Sequence, residues 1–198
     1  MKRKNFSFWL AAGLSQLLFA AFLPVWLKLL SYLHPVVLVV VWVYVNLLGY
    51  FLVYYIRKES IQLPRYIIRI ALAIYSVGLL VLLFFRPSYQ EYNQINYIPL
   101  KTITSFFVGH GNFLVAFYNL TANVLQFLPF GVTALMLYND LSKSRLFLIS
   151  TVVILLIETA QYFSKRGSMD IDDLLLNLVG VGFGYFVYPV IQKVIRIV

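Results

Sequence analysis

Long apolar runs limit this chain more than any other feature. Several approach the roughly 20 residues that a helix needs to cross a bilayer, among them the stretch VVLVVVWVYVNLLGYFLVYYI. They do not alternate apolar with polar residues, as the strands of a transmembrane barrel would. Only 12% of the 198 residues are charged and 62% are hydrophobic, far from the balance of a soluble domain of this size. The expected fold is therefore all-α: a polytopic membrane helix bundle.

Six spans are expected, at about Phe6–Leu30, Pro35–Ile56, Tyr66–Phe85, Asn119–Tyr138, Leu146–Phe163 and Leu174–Val194. Pro35 suits a first helical turn, and Pro64 and Pro87 punctuate helix ends. The N-terminus begins like a signal peptide, but its apolar run continues to Leu30. It reads as an uncleaved first span.

The 16 Lys and Arg residues fall unevenly on the loops. One side holds Lys2, Arg3, Lys4, Arg57, Lys58, Arg65, Arg69, Lys143, Arg145, Lys193 and Arg196. The other holds Lys28, Arg86, Lys101, Lys165 and Arg166. Basic loops stay in the cytoplasm, so both termini are expected there and segment 86–118 outside. Within that segment Thr102–Val108 and Phe113–Tyr118 are too short to span, and are expected to form an interfacial helix or a re-entrant cap. Residues 1–65 read as an N-terminal transmembrane hairpin and residues 66–198 as the main membrane domain.

The formal net charge of +9 fits loops held against anionic lipid. No nucleic-acid-binding motif is present, so no nucleic acid is expected. There is no cysteine, and His34 and His110 are the only histidines. No metal and no cofactor are expected.

Against this background the stretch IETAQYFSKRGSMDIDDLLLNLVG is unusually polar. A carboxylate or amide in hydrocarbon is costly unless it turns inward and finds partners. Asn119, Asn123 and Gln126 are spaced i, i+4, i+7 and share one helix face. Glu158 and Gln161 are i, i+3. Asp173, Asn177, Gly180 and Gly184 form one stripe, whose glycines allow another helix to approach. At about 1.5 Å of rise per residue, all three sets lie within roughly two turns of the outer boundary. They are expected to meet in a polar pocket open to the outer surface, with Arg86 and Arg166 at a similar depth. Pro129 and Gly131 are expected to kink or loosen the helix below Asn123.

The chain resembles the VanZ-like family of bacterial membrane proteins, named for a teicoplanin-resistance protein. The resemblance rests on RP at Arg86–Pro87, NYIPL at Asn96–Leu100, NLTANVLQFLPFG at Asn119–Gly131, IETAQ at Ile157–Gln161 and RGSMDIDDLLLNLVGVGFG at Arg166–Gly184. Their order and spacing carry the signal, over roughly the C-terminal half. By matched position, Asn119, Asn123, Glu158, Gln161, Arg166, Asp170, Asp173, Asn177 and Gly180 are implied family residues. The resemblance implies a role in tolerance of lipoglycopeptide antibiotics at the bacterial plasma membrane.

The leading expectation is a protein without catalytic activity that binds a membrane lipid or a lipid-linked cell-wall precursor, with a glycopeptide antibiotic as a further candidate partner. Arg86 and Arg166 would contact phosphate or carboxylate, Glu158 would orient the arginine, and the amides would bond sugar or peptide groups. In a second reading Glu158 and Asp173 are acid–base catalysts on an isoprenoid-linked or phospholipid substrate. A third is a small lipid or drug transporter, which would need a polar path continuing towards Asn46 or Ser76. Plainer roles compete: a structural ion pair for Glu158 and Arg166, interhelical glue for Asn119 and Asn123, and packing for Gly131, Gly180 and Gly184. Asp170 is expected in a solvated loop and Asp172 as a helix N-cap.

Overall fold

The structure, a computed structural model, describes residues 2–29, 36–84, 95–108, 113–167 and 169–198. The fold is a bundle of α-helices: α1 (Lys2–Ala21), α2 (Leu23–Leu29), α3 (Val36–Ile56), α4 (Arg65–Phe84), α5 (Lys101–Val108), α6 (Phe113–Leu137), α7 (Lys143–Phe163) and α8 (Ile171–Val194). Among the described residues α4, Leu120–Leu137 of α6, α7 and α8 are long and apolar enough to cross a membrane, and Asn5–Ala21 and Val41–Ile56 are shorter apolar helices. Helix α4 shows why a membrane is the required solvent. It exposes Ile70, Ile74, Val77 and Val81, an apolar stripe at i, i+4, i+7, i+11, while burying Ile68, Leu79 and Leu83. Water would not tolerate such a stripe repeated over several helices.

Among the described residues four short strands accompany the helices, which the apolar runs did not announce: β1 (Ile61–Leu63), β2 (Ile95–Asn96), β3 (Met169–Asp170) and β4 (Ile195–Ile197). Strand β1 pairs with β4 and β2 with β3. The second pair is parallel, with Ile95 opposite Met169 and Asn96 opposite Asp170.

The expected first span divides at Phe22 into α1 and α2. Two residues on, Pro24 has no N–H for the Ala20 carbonyl, and its ring crowds that turn. Bonds from Phe22 N to Leu18 O (3.2 Å) and from Trp26 N to Phe22 O (3.0 Å) carry the chain past it. The expected fourth span lies where the candidate span Leu120–Leu137 does, but its helix starts earlier. Phe113–Tyr118 are the opening turns of α6 and no separate cap, because nothing in FLVAFYNL interrupts a helix. Pro129 does not break α6 either: the helix runs through it to Leu137. Thr133 Oγ1 donates to the Pro129 carbonyl at 2.7 Å.

The chain packs as two compact units, Met1–Leu63 with Val190–Arg196 and Val198, and Pro64–Pro189 with Ile197. In the first, α1 packs on α3. Ser15 bonds back to the Ala11 carbonyl at 2.8 Å, and Arg57 Nε donates to Ser7 Oγ at 2.6 Å. In the second, α6 packs against α4, α5 and α7. Its core joins Leu79, Leu83, Phe127, Ile154 and Val181.

Candidate functional site: a polar chain across three helices

The α6 and α8 backbones come unusually close. A Cβ on Gly180 would collide with the Val124 carbonyl, one on Gly131 with the Val181 carbonyl and one on Gly184 with the Leu128 carbonyl. Asp173 and Asn177 sit on the same stripe of α8, so they are carried onto α6. Helix α7 is set by a Ser142 N-cap, whose hydroxyl accepts from Arg145 N at 3.3 Å.

Gln126 is the hub. Its Nε2 carries two hydrogens and makes two bonds, to Asn123 Oδ1 at 3.2 Å and to Asn177 Oδ1 at 3.4 Å. Each asparagine then turns its own Nδ2 outward. Asn123 donates to Asp173 Oδ1 at 2.7 Å, and Asn177 donates to Glu158 Oε1 at 3.3 Å. The order Asp173–Asn123–Gln126–Asn177–Glu158 therefore has one direction: donors run out from the centre, and a carboxylate accepts at each end. An amide accepts at its oxygen and donates at its nitrogen, so each asparagine passes the bond on. Glu158 (6% exposed) and Asn177 (3%) are buried, where an unpartnered polar group is most costly. Tyr75 of α4 braces the hub by donating from Oη to the Gln126 carbonyl at 2.9 Å.

A second cluster ties the NYIPL segment to the start of α8. Asp172 is fully buried. Its carboxylate accepts from the backbone N–H groups of Leu100, of Thr102 at 2.7 Å and of Ile103 at 3.1 Å. Those are orphan donors at the start of α5. Asp170 accepts from Thr102 Oγ1 at 2.6 Å, Asn96 Nδ2 at 2.9 Å and Asp172 N at 2.9 Å. Neither residue behaves as expected from sequence. Asp170 is buried in this clasp and caps its own helix, where a solvated loop was predicted. Asp172 caps α5, about seventy residues earlier in the chain. Both positions are fixed by the β2–β3 pairing, which no local pattern announces.

The remaining predicted residues divide. Gln161 reaches α4, donating from Nε2 to the Leu83 carbonyl at 3.3 Å. Arg166 is exposed on the turn that closes α7. That turn has Lys165 at φ 56°, with Lys165 N on the Tyr162 carbonyl and Arg166 N on the Gln161 carbonyl, a Schellman closure without its usual glycine. Asn119 lies on α6, one turn before Asn123, but its side chain is outside what the structure describes, and Arg86 lies outside the described residues. Asn96, Thr102 and Tyr75 were not singled out by sequence; their signal lies in partners distant along the chain. Among the described residues no group of His, Asp and Glu could hold a metal ion.

The polar chain presents acceptors at its carboxylate ends and groups that both donate and accept at its amides. A family model described as VanZ/LLP1 matches residues 72–192, which contain both the polar chain and the clasp. Protein VanZ of Enterococcus faecium is 29% identical over 122 residues, covering 62% of this chain and 73% of that protein. No solved structure matches the chain. With the family model covering well over half of its length, the chain belongs to the VanZ/LLP1 family.

Proposed function

We propose that this chain is a multi-pass protein of the bacterial plasma membrane that binds the head group of a lipid or lipid-linked cell-wall precursor, and so contributes to tolerance of lipoglycopeptide antibiotics. Both termini face the cytoplasm in this reading. The site lies in the outer half of the bilayer, in the membrane domain that follows an N-terminal hairpin. The observation that carries it is the bonded chain Asp173–Asn123–Gln126–Asn177–Glu158. Five polar side chains on three apolar helices exceed what packing alone needs, since interhelical hydrogen bonds in membranes average only about 0.6 kcal/mol. Intramembrane acids are by default functional. Arg166, and Arg86 where it can reach, would serve an anionic part of the ligand.

One observation favours a second reading, an enzyme acting on such a lipid: two carboxylates, Glu158 and Asp173, end the same bonded array. The third reading, a small lipid or drug transporter, has less support: Ser76, where a polar path would continue, bonds back to the Leu72 carbonyl of its own helix at 2.8 Å.

The test is susceptibility to teicoplanin and vancomycin in a deletion strain complemented with wild type, Glu158→Gln or Asn177→Leu. The proposal expects wild type to restore tolerance and both variants to fail at equal membrane levels. Full restoration by both variants would remove the polar chain from the function. Turnover of an isoprenoid-linked sugar by purified protein, abolished in Glu158→Gln, would favour the enzyme.

A further inference from the structure

Beneath the polar chain lies an apolar cavity of about 180 Å³, walled by α4, α6, α7 and α8. Its position relative to the chain is systematic. Phe127 and Phe130 line it one turn after Asn123 and Gln126 on α6. Val181 lines it one turn after Asn177 on α8, and Ile154 one turn before Glu158 on α7. All four steps lead the same way, about 6 Å along the bundle. Phe127, Ile154 and Val181 are almost fully buried and seal the inner wall, whereas Ile149 and Val153 on α7 are each 48% exposed and form the mouth. The lining hydroxyls of Thr133 and Ser150 bond back to Pro129 and Leu146 of their own helices, so the lining is apolar in effect. From Ile149 to Ile157 the cavity follows α7 for about 12 Å, and its last lining residue there, Ile157, precedes Glu158 in the chain. A space of this size is smaller than the 300–1,000 Å³ of a typical drug-sized pocket. It fits part of a hydrocarbon chain, not a whole lipid or a whole antibiotic.

We infer that the cavity and the polar chain are two halves of one site for a membrane lipid: a slender hydrocarbon tail lies along α7 from Ile149 to Ile157, and a hydroxyl-bearing head hydrogen-bonds at Glu158. This rests on the head-group reading above and adds the ligand's class. The carboxylate of Glu158 accepts from hydroxyls, and the flanking amides both donate and accept. An apolar slot within one helical turn of such a group selects a molecule with both parts, because each half alone gains little.

The test uses the full chain in lipid nanodiscs and an alkyl glucoside with a diazirine at the end of its tail. After illumination, peptide mass spectrometry should place the adduct on 130–134 or 149–153. Ala134→Phe, which fills the cavity, should cut labelling roughly tenfold. Val153→Trp, a change at the exposed lip, should do the same and guards against a folding defect in the first variant. Glu158→Gln should also reduce it. Labelling of the cavity that ignores Glu158→Gln would overturn the inference, leaving an ordinary lipid contact. The same follows if Ala134→Phe and Val153→Trp support full antibiotic tolerance while Glu158→Gln does not; the head-group reading would then stand without the tail. Loss of tolerance in none of the three would sink the head-group reading itself.

Discussion

Gln126 on α6 and Asn177 on α8 are joined across the bundle, Nε2 donating to Oδ1 at 3.4 Å, while the other N–H of the same amide serves Asn123 at 3.2 Å. The polarity of the whole array depends on this double donor.

Replacing it with a near-isosteric acceptor is therefore the sharpest structural test. Gln126→Glu presents oxygen to two asparagine oxygens and adds a third carboxylate to the chain. It should lower stability by about 1–3 kcal/mol, the range for leaving a buried polar group unpaired, and more than Gln126→Met does. Thermal unfolding in detergent measures both.

The clasp makes a different prediction. Asp172→Ala removes the acceptor of three backbone N–H groups and should cost about 3 kcal/mol locally. In hydrogen exchange the amides of Thr102 and Ile103 should lose protection, while those of the α6 core, around Val132, keep theirs. Asp172→Asn should fall between.

Close approach of α6 and α8 gives a pair of outcomes of opposite sign. Gly180→Ala places a methyl on the Val124 carbonyl and should destabilise by about 1–3 kcal/mol. Gly182→Ala has nothing within 4 Å and should be neutral or stabilise by about 0.5–1 kcal/mol. Comparing their melting temperatures with wild type decides it.

Lys165 holds a left-handed backbone, φ 56°, where a side chain costs about 1–2 kcal/mol. Lys165→Gly should raise the melting temperature by relieving it, and leave antibiotic tolerance unchanged. A fall in melting temperature would mean that the lysine side chain contributes more than its backbone costs.

These outcomes also show what a linear chain can reveal. The spacing of Asn123 with Gln126, and of Asp173 with Asn177, Gly180 and Gly184, fixes which sides of α6 and α8 are polar or small. Helix period and the cost of burial then make their meeting readable. Asp170 and Asp172 were not readable, because their partners Asn96 and Thr102 are about seventy residues away and meet them through a two-residue strand pair. Gln161 shares a face with Glu158 by spacing, yet bonds the Leu83 carbonyl at the end of α4. Three residues of separation places two side chains near each other without deciding which neighbour each one finds. Pro24 and Pro129 give the opposite lesson about one residue type. The first accompanies a break and the second is absorbed, since α6 is held on several sides by packed helices.

The most direct measurement of the central claim is native mass spectrometry of the protein released from membranes, wild type against Glu158→Gln. The account predicts that wild type carries a bound lipid with a hydroxyl-bearing head, near one per chain, and that Glu158→Gln, equally folded, has lost it. Equal lipid loads on the two proteins would contradict the account.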